Sequence, residues 1–248
     1  MKALILAAGV GRRLGINGQI QPKCLLNFNG KSLLERHLNY LRDLQIDEVA
    51  IAVGYQAEKI QAQIQALGVE SWVSSVYNPD YTKGSIISLW TLREYLKSGN
   101  NLLLMDADVL YDRRILERLV KTNIPNSFLL DRDFEQGEEP VKLCVQDGYL
   151  VEFRKQIAPD LIYDFAGESV GFFRFDSEVA LRLAERAEHY VANQRHEEPY
   201  EELIRDLLLE TPEAFGYEDI TGLSWLEIDF PEDIKRAENE ILPQLGNF

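Results

Sequence analysis

The first half of the chain alternates between short apolar runs and longer segments in which apolar residues recur at helical spacing. Residues 3–8 are continuously apolar, which is typical of a strand covered on both faces. Residues 32–44 carry leucines at helical spacing, with Ser32 as the N-cap and Glu35 three residues on. The same alternation predicts further strands at 48–53, 72–77 and 102–105 and further helices at 57–67 and 85–96. Repeated strand–helix units of this kind predict right-handed crossovers and a mostly parallel sheet.

After Leu116 the pattern changes to short strands that follow one another. Asp147 and Gly148 separate two of these strands and are typical of a two-residue hairpin turn. We predict strands at 127–130, 141–146, 149–153 and 168–175, then helices at 178–191, 201–209 and 233–242. The sequence contains no repeat, no low-complexity tract and no evident linker. We therefore expect one α/β domain, residues 1–248, built as a three-layer sandwich around a mostly parallel, mixed central sheet.

Composition narrows the classes of function. The formal charge is −15, from 26 Lys and Arg against 41 Asp and Glu, so we expect no nucleic-acid partner. An anionic substrate would need a local basic pocket or a bridging cation. Cys24 and Cys144 lie far apart without metal-ligand spacing, so neither a disulfide framework nor a zinc site is expected. The opening apolar run is too short for a signal peptide and nothing approaches the roughly 20 apolar residues of a membrane span. We expect a cytoplasmic protein without a membrane partner.

A glycine-rich loop follows the first strand. In open α/β sheets ligands bind beyond the carboxyl ends of the strands, where residues 9–13 (Gly-Val-Gly-Arg-Arg) lie. Glycine lets backbone N–H groups approach phosphate oxygens, and arginine adds a fixed fork of donors. A dinucleotide fingerprint would require glycine in place of Leu14, and a Walker A loop ending at residues 30–32 would require glycine in place of Leu25. The loop therefore indicates phosphate binding outside both of these motifs.

Two acidic segments are candidates for a metal site. Asp106 and Asp108 follow a buried apolar run, and alternate residues of a strand share a face, so both carboxylates can point at one ion. Such a pair also occurs as a helix cap or a turn. Glu227 and Asp229 share a face in the same way within residues 225–229. Mg²⁺ prefers hard oxygen ligands, and burying several acids together is costly without a cation.

The opening motif resembles a known family. Leu6-Ala7-Ala8-Gly9-x-Gly11-x-Arg13, followed by Pro22-Lys23-x-Leu25, is similar to the start of the sugar-phosphate and choline-phosphate nucleotidyltransferases. The resemblance implies a GT-A-like nucleotidyltransferase fold in which the Gly9–Arg13 loop wraps the phosphates of an NTP. It also implies that Lys23 neutralises charge at the reacting phosphate.

The C-terminal segment resembles one branch of that family. Trp225-x-Glu227-Ile228-Asp229, with Asp233 and Ala237 beyond, is similar to the C-terminal motif of the choline-phosphate cytidylyltransferases. There the final Asp is a metal ligand, so the resemblance implies a Mg²⁺ site. Its implied ligands are Asp229 and the Asp106–Asp108 pair, and the sequence leaves open whether Asp106 or Asp108 is the direct ligand.

The implied reaction is transfer of a nucleoside monophosphate, CMP from CTP, to a small phosphorylated or phosphonate acceptor such as phosphocholine or 2-aminoethylphosphonate, with release of pyrophosphate. Lys23, Arg13 and Asp108 are the implied catalytic residues. No general base is needed, because the acceptor oxygen is already anionic at neutral pH. Residues 1–115 would bind the NTP and residues 116–248 the acceptor, and a homodimer is compatible with the sequence.

The base and the acceptor are less closely specified. Residues 77–89 resemble the segment of the family that reads the base. Residues 84–87 (Gly-Ser-Ile-Ile) stand where cytidylyltransferases often carry adjacent asparagines. The choice between CTP and another NTP as the donor is therefore open. Ser85 is equally a candidate helix N-cap. The nucleotide-binding residues that we expect are Leu6, Ala7, Ala8, Gly9, Val10, Gly11, Arg12, Arg13, Lys23, Asn78, Gly84, Ser85, Ser88 and Asp106. The acceptor-binding residues that we expect are Lys155, Glu168, Gly171, Tyr200, Trp225 and Glu227.

Other functions stay open from the sequence. A sugar 1-phosphate with UTP or dTTP would use the same fold. A non-catalytic nucleotide-binding regulator would also keep the fold, although such a protein is expected to lose Lys23 or the carboxylates. A glycosyltransferase shares the Asp-x-Asp metal motif, but a sugar-nucleotide diphosphate does not need the Gly9–Arg13 loop.

Overall fold

The computed structural model describes residues 1–135 and 137–245. The strands are β1 (Lys2–Ala7), β2 (Asn27–Phe28), β3 (Lys31–Ser32), β4 (Glu48–Val53), β5 (Val73–Tyr77), β6 (Leu102–Asp106), β7 (Val109–Tyr111), β8 (Ser127–Asp131), β9 (Lys142–Gln146), β10 (Tyr149–Arg154), β11 (Phe165–Phe175), β12 (Gly216–Asp219) and β13 (Trp225–Glu227). The helices are α1 (Ile16–Ile20), α2 (Leu33–Asp43), α3 (Ala57–Ala66), α4 (Ser85–Thr91), α5 (Arg93–Leu96), α6 (Arg113–Lys121), α7 (Ser177–Ala192), α8 (Glu201–Glu210) and α9 (Pro231–Arg236). Among these helices, none combines the length and the apolarity that crossing a membrane requires.

A nine-stranded mixed sheet forms the centre of the fold. Strands β5, β4, β1 and β6 are parallel neighbours, and Leu4 in β1 lies between Ala50 and Leu104. Strand β11 continues the sheet antiparallel to β6, followed by β9 and β10, while β8 pairs with β11 and β12 pairs with β8. The predicted mostly parallel, mixed sheet is confirmed, with β6 near its middle.

Helices cover both faces of this sheet. Leu4 packs with the apolar faces of α4, α5, α7 and α8, whereas its neighbour Ile5 packs with α2, α3 and α6 on the opposite face. Because both faces are covered, the parallel strands are almost continuously apolar, which is why the sequence pattern located them. The predicted three-layer arrangement is confirmed.

Several local predictions can be compared with the structure. Ser32 Oγ accepts a hydrogen bond from the Glu35 N–H at 3.1 Å, which confirms the predicted cap of α2. Asp147 and Gly148 both have positive φ, 51° and 83°, as a tight hairpin turn requires. Ser85 as an N-cap is wrong, because Gly84 occupies the N-cap position of α4.

Other elements differ from their predicted extent. The predicted helix at 85–96 is divided at Leu92 into α4 and α5, and the final helix ends as α9 at Arg236, followed by a π-helical turn. The loop at 9–18 contains a 3₁₀ turn and the start of α1. Helix α6 was not predicted. Its four basic residues outnumber the three buried apolar residues Ile115, Leu116 and Leu119, so the helical pattern of apolar positions is weak.

Two irregular features position the functional site. The small strand β13 pairs antiparallel with β7, and the Ile228 N–H donates to the Asp108 carbonyl at 2.9 Å, which brings the C-terminal acidic segment against the end of β6. In β11 the register against β8 shifts between Ser169 and Phe173. Gly171 lies in this irregularity with φ of 78°, and a Cβ there would collide with the Asp106 carboxylate. Glycine is thus required on both conformational and steric grounds.

Candidate active site

A cavity of about 360 Å³ opens where β1 and β6 end. These strands are parallel and paired, with Leu6 beside Asp106, so the loop after β1 faces the carboxylates after β6. Gly11 adopts the left-handed conformation, φ 64°, and packs against the stem of Lys23. Of the residues predicted to bind the nucleotide, those lining this nucleotide cavity are Leu6, Ala7, Ala8, Gly9, Gly11, Arg12, Arg13, Lys23, Ser85, Ser88 and Asp106.

Lys23 joins the two acidic segments. Its Nζ donates to Asp108 Oδ2 at 2.8 Å and also pairs with Asp229 Oδ1. Burial lowers the pKa of Lys23, but the two carboxylates outweigh that effect and hold the pKa above its usual value. Lys23 is therefore a permanently charged group at the centre of the site.

Arg13 reinforces this arrangement from the glycine-rich loop. Its guanidinium pairs with Asp229 Oδ2 at 2.7 Å and with Glu139 Oε2 at 2.9 Å. It also lies over the Phe230 ring, 5.2 Å from the centroid. Lys155 reaches the same Glu139 carboxylate at 3.2 Å, so Glu139 bridges Arg13, which is expected to bind the nucleotide, and Lys155, which is expected to bind the acceptor. The sequence offered no signal for the role of Glu139.

Three carboxylates converge beside Lys23. Asp108, Glu227 and Asp229 each offer an oxygen within 4.8 Å of the other two, and we call them the carboxylate cluster. The Glu227 side chain is partly open to solvent, but protein atoms surround its carboxyl group and limit its hydration. This loss of hydration is the larger cause, and repulsion from Asp108 and Asp229 the smaller one, of a pKa of Glu227 raised to about 8. Such crowding favours a cation, and the hard oxygen donors fit a divalent ion.

Asp106 lies outside the carboxylate cluster, as drawn from the residues that the structure describes. Its Oδ2 accepts a hydrogen bond from the Tyr200 hydroxyl at 2.7 Å, beside Gly171. Burial, then the nearby charges of Asp108, Glu201 and Glu227, hold the pKa of Asp106 well above its usual value. The structure thus groups Glu227, expected to bind the acceptor, with Asp108 and Asp229, whereas Asp106 contacts Tyr200.

The predicted base-reading segment is held by a distant loop. The Gly84 N–H donates to the His196 carbonyl at 2.9 Å, and Ser85 Oγ accepts from the Tyr200 N–H at 3.0 Å. Asn78 is fully buried and donates to Ser88 Oγ at 3.2 Å. Within the described part of the chain, three expected residues are not on the cavity wall: Val10, Asn78 and Gly84. Residues that line it without having been predicted include Tyr81, Lys83 and Glu201.

A second cavity, of about 430 Å³, meets the first at Glu227. Trp225 lines it and donates its indole N–H to Asp131 Oδ2 at 2.7 Å. Burial and then Asp131 raise the pKa of Glu168 to about 7. The carboxylate residues around this acidic cavity are Asp131, Asp133, Glu135, Glu138, Glu139, Glu168, Glu227, Asp229 and Asp233. Arg236 is the cationic residue among the described residues that line it.

Of the residues expected to bind the acceptor, Glu227 lines both cavities, whereas Lys155 and Gly171 are not among the described residues that line either one. Glu168, Trp225 and Glu227 line the acidic cavity. Tyr200 lines the nucleotide cavity instead, and Gly171 packs against Asp106.

Comparison with known proteins agrees with this geometry. The model of the MobA-like NTP transferase domain matches residues 3–155. The chain belongs to this family. The nucleotidyltransferase resemblance drawn from the opening loop and Lys23, which lie within the matched residues, is thereby confirmed.

Two relatives and one solved structure are similar over nearly the whole chain. CMP-5'-(3-aminopropyl)phosphonate synthase from Streptomyces rubellomurinus is 26% identical over 98% of this chain, which spans only 39% of that relative. CTP:phosphoglutamine cytidylyltransferase from Campylobacter jejuni is 22% identical, covering 95% of this chain and 98% of the relative. The structure of CTP:phosphocholine cytidylyltransferase from Streptococcus pneumoniae superposes with a TM-score of 0.74 at 24% identity, covering 97% of this chain and 98% of the other. This last similarity shows the shared fold.

Proposed function

We propose that the protein transfers CMP from CTP to a small acceptor that carries both a phosphate or phosphonate and a cationic group. The observation that supports this most directly is the position of Lys23, which joins Asp108 and Asp229 at the meeting point of two cavities. In this proposal residues 1–115 bind the nucleotide and residues 116–248 bind the acceptor. The names of the relatives support CTP as the donor. The cytoplasmic location and the homodimer stay predictions.

The residues around the junction suit an in-line displacement. An oxygen of the acceptor phosphate forms a bond to the α-phosphorus while the bond from that phosphorus to the pyrophosphate oxygen breaks. The N–H groups of residues 9–13 and the Arg13 guanidinium hold the triphosphate, and Lys23 offsets the charge on the oxygens around the α-phosphorus. Since the acceptor oxygen is already anionic, the chain need not supply a general base.

We propose that Asp108, Glu227 and Asp229 hold the Mg²⁺ ion, with Asp106 close behind. Their converging oxygens and the raised pKa of Glu227 support this proposal, because a divalent cation would relieve the repulsion between the carboxylates. When bound there, Mg²⁺ supplies positive charge to the phosphoryl oxygens and orients them.

The acidic cavity indicates the charge of the acceptor. Its carboxylates greatly outnumber Arg236, which itself pairs with Glu135 at 3.2 Å. Such a surface disfavours an acceptor that carries only negative charge, such as a phosphorylated neutral sugar. It favours an acceptor with a positively charged end. Trp225 and Phe230 add aromatic faces that can contact an ammonium group.

A substrate panel tests the proposal. Pyrophosphate release is measured with CTP, UTP, dTTP, ATP and GTP against choline phosphate, 2-aminoethylphosphonate and glucose 1-phosphate. We expect turnover with CTP and a cationic acceptor, and no turnover after Mg²⁺ is chelated. Preferred use of glucose 1-phosphate with UTP or dTTP would contradict the acceptor assignment. Binding of CTP without pyrophosphate release from any pair would indicate a regulatory protein.

A further inference from the structure

A third cavity, of about 260 Å³, lies on the outer side of α2 and has the opposite charge to the rest of the protein. We call it the α2 pocket. The residues of its wall that matter here are Lys31, Arg36, Tyr40, Arg42, Asp43 and Arg113. This set contains four basic residues and one acid, in a chain whose formal charge is −15. Because the surface as a whole is acidic, a basic concavity is an unusual local feature.

Arg36 is the most informative residue of the α2 pocket. It is only 9% exposed, and one guanidinium nitrogen donates to the Phe28 carbonyl at 2.6 Å. Its Nε is buried without a hydrogen-bond partner. Within residues 1–135 and 137–245 no carboxylate lies at ion-pair distance from Arg36. A buried cation without a counter-charge is unfavourable, so an anion bound near Arg36 would be stabilising.

Arg42 and Arg113 differ in how far carboxylates offset their charge. Arg42 lies over the Trp72 ring, 5.4 Å from the centroid, an interaction that leaves its charge uncompensated. Arg113 pairs with Asp43 at 3.0 Å and with Glu117 at 2.7 Å. Within the part of the chain that the structure describes, Arg36 and Arg42 therefore carry positive charge that no paired carboxylate offsets.

We propose that the α2 pocket binds a small phosphate-bearing anion at a site separate from the reaction. Several guanidinium forks around one concavity match the multiple acceptor oxygens and double charge of a phosphate better than a single carboxylate. The cavity is smaller than the range of about 300–1,000 Å³ that holds drug-sized ligands, which favours a small anion over a nucleoside triphosphate. None of its lining residues lines the nucleotide cavity. The ligand class is a phosphomonoester, inorganic phosphate or pyrophosphate.

Residue-resolved titration tests this proposal. Amide ¹H–¹⁵N spectra of the deuterated full chain are recorded at constant ionic strength with inorganic phosphate, pyrophosphate, choline phosphate or acetate. We expect saturable shifts at residues 31, 36–43 and 113 with the phosphate compounds and not with acetate. The compound that saturates at the lowest concentration identifies the source of the phosphate.

Two charge-matched variants complete the test. Arg42→Gln removes one cation from the pocket wall and is expected to weaken binding there about tenfold, the effect of losing one hydrogen bond to a charged group. Lys97→Gln removes the same charge from a surface lysine that pairs with Glu188, and neither residue lines the pocket, so this variant is expected to leave binding unchanged. Shifts confined to residues 9–23, equal weakening by the two variants, or equal binding of acetate would each overturn the proposal.

Discussion

The nucleotide cavity and the acidic cavity meet at Glu227, yet they are built in different ways. The first lies at the ends of two adjacent parallel strands, against the glycine-rich loop after β1, and Lys23 and Arg13 supply positive charge there. The second is formed by side chains from distant segments, and nearly all its charge is negative. The difference indicates how one fold can retain its triphosphate-binding cavity while the residues of the second cavity change to fit different acceptors. A glycine-rich loop with two cations characterises the first cavity, and a set of carboxylates characterises the second.

The carboxylate cluster is where the largest effect is expected. Asp108→Ala and Asp229→Ala should each lower turnover on the order of 10³-fold or more, since a bound metal contributes several kcal/mol to charge stabilisation. Asp106→Asn keeps an acceptor for the Tyr200 hydroxyl. The loss of turnover in this variant should be smaller than in the other two by a factor of about ten or more. The measurement is pyrophosphate release as a function of Mg²⁺ concentration. An equal loss in Asp106→Asn would place Asp106 in the metal site.

Lys23 tests the positive half of the nucleotide cavity. Lys23→Gln should lower kcat roughly 10²–10³-fold, the usual cost of removing one preorganised donor from a developing negative charge. Lys97→Gln, which removes a surface lysine paired with Glu188, serves as the matched control and should leave kcat unchanged. Circular dichroism checks that both variants are folded. Full activity of Lys23→Gln would remove the central residue of the proposed mechanism.

Trp225 tests whether the acidic cavity acts on the acceptor alone. Trp225→Ala should raise the KM for a cationic acceptor about tenfold, the value of one partly desolvated cation–π contact, and should leave the KM for CTP unchanged. Trp225→Phe retains an aromatic face and should show a smaller increase. A parallel rise in both KM values would mean that the two cavities do not work independently.

Glu168 gives the smallest expected effect. Burial and Asp131 raise the pKa of Glu168 to about 7, so its carboxyl is largely protonated below that pH and charged above it. The KM for an ammonium acceptor should therefore fall roughly fivefold between about pH 6 and pH 8 in the wild type. Glu168→Gln should lack this component. The phosphonate of the acceptor ionises in the same range in both proteins, so the difference between the two profiles reports Glu168.

The parallel half of the fold was predictable because burial on both faces leaves an unmistakable apolar run. Residues 48–53 were predicted with the same bounds as β4. The loop after β1 was predictable because glycine and arginine have specific uses near phosphate. Elements that depend on charge-rich or very short segments were not predictable, as α6 and the three-residue pairing of β7 with β13 show.

The site was predicted in its parts more fully than in its contacts. Alternation along residues 225–229 placed Glu227 and Asp229 on one face, but their approach to Asp108 depends on the pairing of β13 with β7. The loop that holds Gly84 lies more than a hundred residues further along the chain, at His196. No local pattern records such a contact, since it results from the packing of whole elements.

The double ion pair of Lys23 has a practical consequence for anyone handling this protein. A cleft that brings its own ammonium group to Asp108 and Asp229 does not depend on dissolved ions to keep those acids together. The polypeptide should tolerate EDTA during purification and storage with little change in melting temperature. Preparations stripped in this way are suitable starting material for adding back one metal at a time.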